Sequence, residues 1–466
     1  MARAWAFVAV LAVVGTNSVS GQPLTLRGTI VTPEAVLADG VIVVDGATIT
    51  SVAPFEPQAA ATAIDVEGVI FPGLIDLHNH LTWNALPRWT PPHLFADRYE
   101  WQDTKEYADA LATPHADLVK AGYECDLNRY AELKALANGA TATVGSINNA
   151  CIRGLARNLD FLSELTPNEK VGDEPFRNEI FPLEIHSACG EQAVRDTGGT
   201  LEACALGVGE STPAPPRAVV AHLGEGVDAA ARREFAMFAA HGYLRPGVNI
   251  IHGVGLRAGQ FQQMAAHGVG LIWSPRSNIE LYGTTTDVAA AKSAGVMLAL
   301  APDWSPSGST GMLAELAYID AMRTTHPSIV HFTNQELVEM ATTNPARLAH
   351  LDDHLAKLAV GYAADLIVMQ KTVGQDAYAA LVRQTPSDLR LVVVGGTPVF
   401  GEPALMKQLL PGTSLETITV CGQPRAVNVQ VGMYTNTSWA TTESRLQAAL
   451  KAHGLTLAPF VECPTP

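Results

Sequence analysis

The sequence predicts an α/β protein: a parallel (β/α)8 barrel of the TIM type, with a small discontinuous β-sandwich formed from its N- and C-terminal segments. Three observations lead there. Through the middle of the chain, strand-length apolar runs alternate with helix-like stretches, as repeated βα units require. Short β-rich runs separated by turn residues lie at both ends. The 466 residues, 47% of them apolar, supply a core large enough for one big domain and a smaller companion. Charged residues make up 16%, below the roughly 25% of average domains, so neither a disordered chain nor a long coiled coil fits.

Residues 1–20 read as a secretory leader: Arg3, an apolar run from Trp5 to Val14, then the small-residue stretch Ser18-Val19-Ser20-Gly21. The alternative is an uncleaved anchor, but about ten apolar residues fall short of the ~20 needed to cross a bilayer core. No later segment reads as membrane-spanning, so no membrane association is expected once the leader is removed, and the expected location is secreted or periplasmic. Residues 21–66 form the first part of the sandwich, with β-rich runs at 28–31, 40–44 and 48–52 and an Asp45-Gly46 turn. Residues 67–350 form the barrel. Its strands are expected at 69–77, 140–144, 180–185, 218–221, 248–251, 270–273 and 296–301, with helices such as 228–241 and 334–350 between them. Residues 351–402 return to β-rich runs at 364–368 and 391–396, which can pair with the edges left by the first part. Residues 403–466 fit neither domain and are expected to wrap the outside of the barrel.

Thirty Lys+Arg against forty-six Asp+Glu leave a net charge of −16 with no cationic cluster. That balance excludes nucleic acid as a partner, because a phosphate-tracking groove needs the opposite sign. A small-molecule substrate is expected, and a homo-oligomer is compatible. Six cysteines suit disulfides in an oxidising compartment. Proximity pairs Cys125 with Cys151, Cys189 with Cys204, and Cys421 with Cys463; buried free thiols are the alternative. No CxxC spacing points to a cysteine zinc site.

The chemistry is expected where barrel strands end, because catalytic groups gather at their C-terminal ends. The run 69–77 leads into His78-Asn79-His80, whose alternation sends both imidazoles to one face as a chelating pair. Taken alone, a His-x-His can be two incidental histidines. Three further strands, however, end in His222-Leu223-Gly224-Glu225, His252-Gly253 and Pro302-Asp303. Four strand ends bearing metal-ligand residue types point to one metal centre. Glu225, three residues beyond His222, is placed for proton transfer, the alternative being a solvated loop carboxylate.

These segments, with Phe71-Pro72-Gly73-Leu74-Ile75-Asp76-Leu77 ahead of His78, Ser274-Pro275-Arg276-Ser277-Asn278 and Gly361-Tyr362-Ala363-Ala364-Asp365-Leu366, resemble the amidohydrolase superfamily of metal-dependent hydrolases. The resemblance covers most of the chain after the leader. It is greatest in the branch of cytosine, guanine and chlorotriazine-type deaminases, and among exported members that share the form ending in Gly226 and the Arg98-Tyr99-Glu100-Trp101 region. It implies that His78, His80, His222 and Asp303 hold one divalent metal, zinc before iron or manganese, that His252 orients water or substrate, and that Glu225 shuttles protons. In that scheme a water acidified to a pKa near ~7 attacks an amide, amidine or ring carbon as hydroxide, and Asp303 accepts its proton. The implied protein is an exported metal-dependent amidohydrolase acting on non-peptide C–N bonds. Nucleobase deaminases act on intracellular pools, so carrying their substrates over to an exported chain is unsafe.

Two other readings stay open. A binuclear form, peptidase- or lactonase-like, would bridge its ions through Glu184 or His186 of the presumed fourth strand; a barrel without catalysis would serve only to bind. Arg276 and Asn278 are turn residues or substrate contacts. Trp83, Asn84 and Trp89 are pocket-mouth walls or packing residues.

Overall fold

The computed structural model describes residues 23–57, 62–145, 154–159, 176–179 (backbone only), 218–240, 242–325, 331–372, 374, 376–431 and 437–463. The leader at 1–20 and the strand expected at 180–185 lie outside them. The chain opens with β1 (Leu24–Val31), β2 (Val36–Asp45), β3 (Thr48–Pro54) and β4 (Ile64–Pro72). Eight short strands follow: β5 (Leu74–Asp76), β6 (Ala140–Thr143), β7 (Arg157–Asn158), β8 (Phe176–Glu179), β9 (Ala218–Leu223), β10 (Val248–His252), β11 (Gly270–Trp273) and β12 (Leu298–Leu300). The last five are β13 (Leu366–Gln370), β14 (Leu389–Val394), β15 (Thr397–Gly401), β16 (Glu416–Val420) and β17 (Gln423–Val427).

Strands β5 to β12 pair in parallel and in chain order, as two arcs: β5-β6-β7 and β8 through β12. Just past β12 the chain bridges back to the segment after β5, through Asn79 with Asp303 and a His80 N–H donated to the Asp303 carbonyl at 3.1 Å. Order and closure are those of a (β/α)8 barrel; β7 and β8 are the one neighbouring pair not linked among the described residues. Every residue of β9, β10 and β11 is buried, which is why they read as near-continuous apolar runs rather than half-buried alternations. Alternate residues face different cores. Val220, Ile251, Ile272 and Ala299 pack together in the barrel interior, whereas Val219, Ile250, Leu271 and Leu298 pack outward with the helices.

The apolar run expected as one strand over 69–77 is two strands in two domains. It breaks at Gly73, where a β-carbon would come within 2.1 Å of the Thr141 hydroxyl. The boundary between the end sheet and the barrel therefore falls there and not at 66/67. The helix expected over 334–350 is likewise two, Asn334–Ala341 and Thr343–Leu348, broken at Thr342. Pro345 has no N–H for the Ala341 carbonyl, and its ring would crowd that carbonyl in a continuous helix.

The two ends of the chain share one nine-stranded sheet in the order β16-β17-β15-β14-β13-β4-β1-β2-β3, with β13 antiparallel to β4. Strands from both ends close one apolar cluster that includes Leu26, Ile42, Ile70, Leu366, Val368 and Leu391. The 403–466 segment divides: β16 and β17 extend this sheet, while helix Trp439–Lys451 packs on helix Glu124–Ala137 through stacked Trp439 and Tyr130. Cys421 and Cys463 form a disulfide. Cys125 is also disulfide-bonded, and Cys151, Cys189 and Cys204 lie outside the described residues. Among the described residues no helix is long and apolar enough to cross a membrane.

Sheet and barrel are locked by a buried ion pair. Arg157 of β7 meets both carboxylate oxygens of Asp365, at 2.5 and 3.0 Å, and Asp365 also accepts the Gly395 N–H. Asp365→Asn is expected to destabilise the fold by about 3 kcal/mol, because it removes the charge compensating a buried guanidinium. A denaturant midpoint equal to wild type would refute this role.

Candidate active site

His222 sits on the strand face that Val220 turns to the barrel interior, so alternation alone aims its imidazole at the centre. His252 does not follow alternation, since Ile250 faces outward. Its backbone turns left-handed at φ 66°, and so does Asp303 at φ 68°. Such conformations cost of order 1–3 kcal/mol in non-glycine residues and persist where surrounding structure imposes them. The four imidazoles converge: the ring of His78 lies 5.2 Å from that of His80, 4.6 Å from His222 and 5.0 Å from His252. Asp303 Oδ1 lies 2.9 Å from His78 Nε2 and 3.3 Å from His80 Nε2. Ligand atoms of His78, His222 and His252 lie within 4.8 Å of one another, as do those of His78, His80 and Asp303, so His78 belongs to both groups.

Burial pushes His78 and His222 below the ordinary histidine range and takes His252 down to about 3, leaving neutral imidazoles, the form that binds metals. Burial alone would raise Asp303, but the adjacent imidazoles, His78 foremost, hold it well below the usual carboxylate range. The His78 Nε2 and Asp303 Oδ1 atoms are buried, close and outside hydrogen-bond geometry. Two buried polar atoms 2.9 Å apart with no hydrogen bond between them are what a shared cation explains, and three imidazoles with one carboxylate match zinc. The residues present therefore fit the metal that the sequence led us to expect.

Around this set the structure fixes orientations. Asn278 Nδ2 faces the Thr285 and Thr286 hydroxyls at 3.2 and 3.4 Å, so its Oδ1 is the atom 2.9 Å from His252 Nδ1. An acceptor at Nδ1 places the imidazole proton there and leaves Nε2 as the lone pair facing the cluster. Under the HxH segment, Asp76 accepts from Asn79, Asn79 accepts from Asn84, and Asn84 in turn accepts the Ser305 N–H at 2.7 Å. Lys134 donates to the Asn84 carbonyl and the Ser305 hydroxyl, tying the segments after β5 and β12 together.

Glu225 is buried beside His252, with Oε2 3.8 Å from His252 Nε2, and burial pushes its carboxyl up to about 8 although Arg98 draws it down. The turn carrying it is clamped from two sides. Glu234 accepts the Gly224 N–H at 2.6 Å and pairs with Arg98, while Arg98 N–H reaches the Glu225 carbonyl at 3.1 Å. Gly226, at φ 149°, lies where a β-carbon would be 2.6 Å from the Ala96 carbonyl, so the 96–98 segment can pair with this turn only if the residue is glycine.

All six site residues expected from sequence, His78, His80, His222, Glu225, His252 and Asp303, thus come together. The bridging candidates Glu184 and His186 lie outside the described residues. Asn278 is a partner of His252 rather than only a turn residue. Arg276 is engaged by Glu462 of the C-terminal tail at 2.5 and 3.1 Å. Asn84 is a buried brace, not a pocket wall, and Trp89 is buried among Phe95, Trp101 and Tyr107. Trp83, half-buried, stacks on His115 at 4.0 Å and meets Trp304, itself 5.5 Å from the His80 ring.

Sequence reasoning missed Trp304 and Tyr282. Tyr282 donates to Glu225 Oε1 at 2.7 Å and accepts from Trp101 Nε1 at 2.8 Å. Its signal was available: on helix Pro275–Tyr282, Asn278 and Tyr282 are four residues apart and share a face.

Comparison with known proteins agrees with this architecture. Residues 219–399 match the model of the Amidohydrolase family. A 5-methylthioadenosine/S-adenosylhomocysteine deaminase of Thermococcus onnurineus (strain NA1) is 26% identical over 359 residues, 72% of this chain and 82% of that protein. Among solved structures, an adenosine deaminase from Xanthomonas campestris with bound zinc superposes with a TM-score of 0.59 at 15% identity, over 92% of this chain and 98% of the other. An atrazine chlorohydrolase from Arthrobacter aurescens TC1 complexed with zinc gives 0.57 at 18% identity, over 80% of this chain and 94% of the other.

Proposed function

We propose that this chain, whose residues 219–399 match the Amidohydrolase family model, is a metal-dependent hydrolase that deaminates a nitrogen heterocycle at a ring carbon. His78, His80, His222 and Asp303 would hold one divalent ion, zinc by donor chemistry. When bound, the ion supplies Lewis acidity and activates water near neutral pH. The remaining work falls to the chain. His252, with its proton fixed on Nδ1, presents Nε2 as an acceptor that orients the attacking water or the substrate. Asp303 accepts the proton that the water sheds as its oxygen bonds to carbon. Glu225, which burial keeps protonated, gives its proton to the departing nitrogen as the C–N bond breaks. The π electrons of the ring C=N bond, taken up by the ring nitrogen as oxygen bonds to carbon, return as the C–N bond breaks and ammonia leaves. The hydroxyl proton then passes to that ring nitrogen, so that the ring carbon becomes a carbonyl, and the proton held by Asp303 restores Glu225.

The observation that carries this reading is Glu225: a buried carboxyl within 3.8 Å of a metal-side imidazole, with its pKa raised into the working range of a proton shuttle. The relatives' substrates supply the first panel: adenosine, 5-methylthioadenosine and S-adenosylhomocysteine, with amino-substituted triazines beside them. We expect zinc-loaded protein to release ammonia from at least one member and to stop when a chelator removes the ion. A fully loaded protein that releases none from the panel would sink the deaminase reading. The same proposal places the protein outside the cytoplasm, a reading supported by the N-terminal leader pattern and the Cys421–Cys463 disulfide.

A further inference from the structure

Glu225 presents two oxygens with different surroundings. Oε1 receives a hydrogen bond from Tyr282, and Oε2, buried, accepts none from the described residues and faces His252 Nε2. The direction of the Tyr282 bond follows from its two neighbours together. An indole N–H can only donate, so Trp101 Nε1, 2.8 Å from the Tyr282 hydroxyl, must be donor there and the tyrosine oxygen acceptor. The phenolic hydrogen is then the one left to point at Glu225, 2.7 Å away. Oε1 is therefore an acceptor whether the carboxyl is charged or neutral. Trp101, Tyr282 and Glu225 are all buried, so no solvent competes for these bonds.

We propose that Tyr282, oriented by Trp101, is a positioning residue that occupies Glu225 Oε1 and thereby assigns proton exchange with the substrate to Oε2. The inference rests on the reading of Glu225 as the proton shuttle. Its proton travels from Oε2 to the departing nitrogen, and the carboxylate left behind stays anchored through Oε1. A carboxyl free to rotate would carry its proton on the wrong oxygen part of the time, and turnover would slow without any loss of substrate binding.

The test uses the full-length metal-loaded protein as wild type, Tyr282→Phe, Trp101→Phe, Glu225→Gln and the Tyr282→Phe/Glu225→Gln double variant. Tyr282→Phe is expected to lower kcat about 10- to 100-fold, the range for residues that orient a catalytic group, with KM and metal content unchanged. Trp101→Phe, which keeps the hydroxyl but loses its orientation, is expected to fall between Tyr282→Phe and wild type. In the Glu225→Gln background Tyr282→Phe should cost nothing further, because the proton it positions is gone. A wild-type kcat in Tyr282→Phe, or a loss that multiplies in the double variant, overturns the assignment.

Infrared spectroscopy supplies a readout that needs no substrate. The carboxylic-acid C=O band identified by its absence in Glu225→Gln should move to higher frequency in Tyr282→Phe, since the Oε1 carbonyl loses its donor, and by less in Trp101→Phe. An unmoved band overturns the relay even if ammonia release is seen. A wild type that releases no ammonia but whose band moves overturns the proposed reaction and leaves the relay standing.

Discussion

Asp303→Ala is expected to remove metal and turnover together. Elemental analysis should read about one divalent ion per wild-type chain and below ~0.1 in the variant, with ammonia release down at least about 10³-fold. The size of the effect follows from position and charge. Asp303 is the sole anion of the two ligand groups, lies 2.9 and 3.3 Å from His78 and His80, and takes a left-handed backbone conformation to get there. His78→Ala should behave alike, because His78 is the one residue common to both groups. Circular dichroism at wild-type amplitude would separate loss of the ion from loss of the fold. An active, metal-replete Asp303→Ala protein would remove this aspartate from the site. Two ions per wild-type chain would instead move the assignment to a bridged centre, with Glu184 and His186 as the residues to vary next.

Glu225→Gln should do the opposite to the metal and nearly the same to turnover. The ion is expected to stay at wild-type occupancy while kcat falls about 10²- to 10⁴-fold, the contribution of a positioned acid or base. Glutamine keeps the shape and an oxygen that can accept the Tyr282 hydroxyl, but its amide has no proton to transfer. Measured with Asp303→Ala, the variant separates holding the ion from moving the proton. Near-wild-type turnover would show that Glu225 does not shuttle the proton. Loss of the ion would show that it belongs to the ligand set.

Much of this arrangement was legible in the chain because barrel strands are short and buried on both faces, so each strand end is announced by the residue that stops the apolar run. His222, His252 and Asp303 stand at such ends, and the alternating HxH of His78 and His80 needs no tertiary information to be read as a pair. The pairing of the two terminal β-rich segments was legible too, since each alone leaves unpaired edges. The boundary at Gly73 was not. Nothing in an unbroken apolar run says that its two halves serve different sheets, and only the nearness of Thr141 makes a glycine necessary there. The joining of β16 and β17 to the sheet was equally hidden, because a sheet edge recruits whatever strand the fold brings to it.

By itself, then, the amino-acid order determined which side chains could bind a metal and move a proton, and the strand–helix alternation that gathers them at one rim. Their states were decided by the tertiary structure. Burial makes His78, His222 and His252 neutral and raises the Glu225 carboxyl to about 8, Asn278 chooses the tautomer of His252, and Trp101 through Tyr282 chooses which oxygen of Glu225 is left open. The physical reason is that pKa and hydrogen-bond direction depend on what lies within a few ångströms in space. Residues 101, 225 and 282 are brought within that distance only by the closed fold.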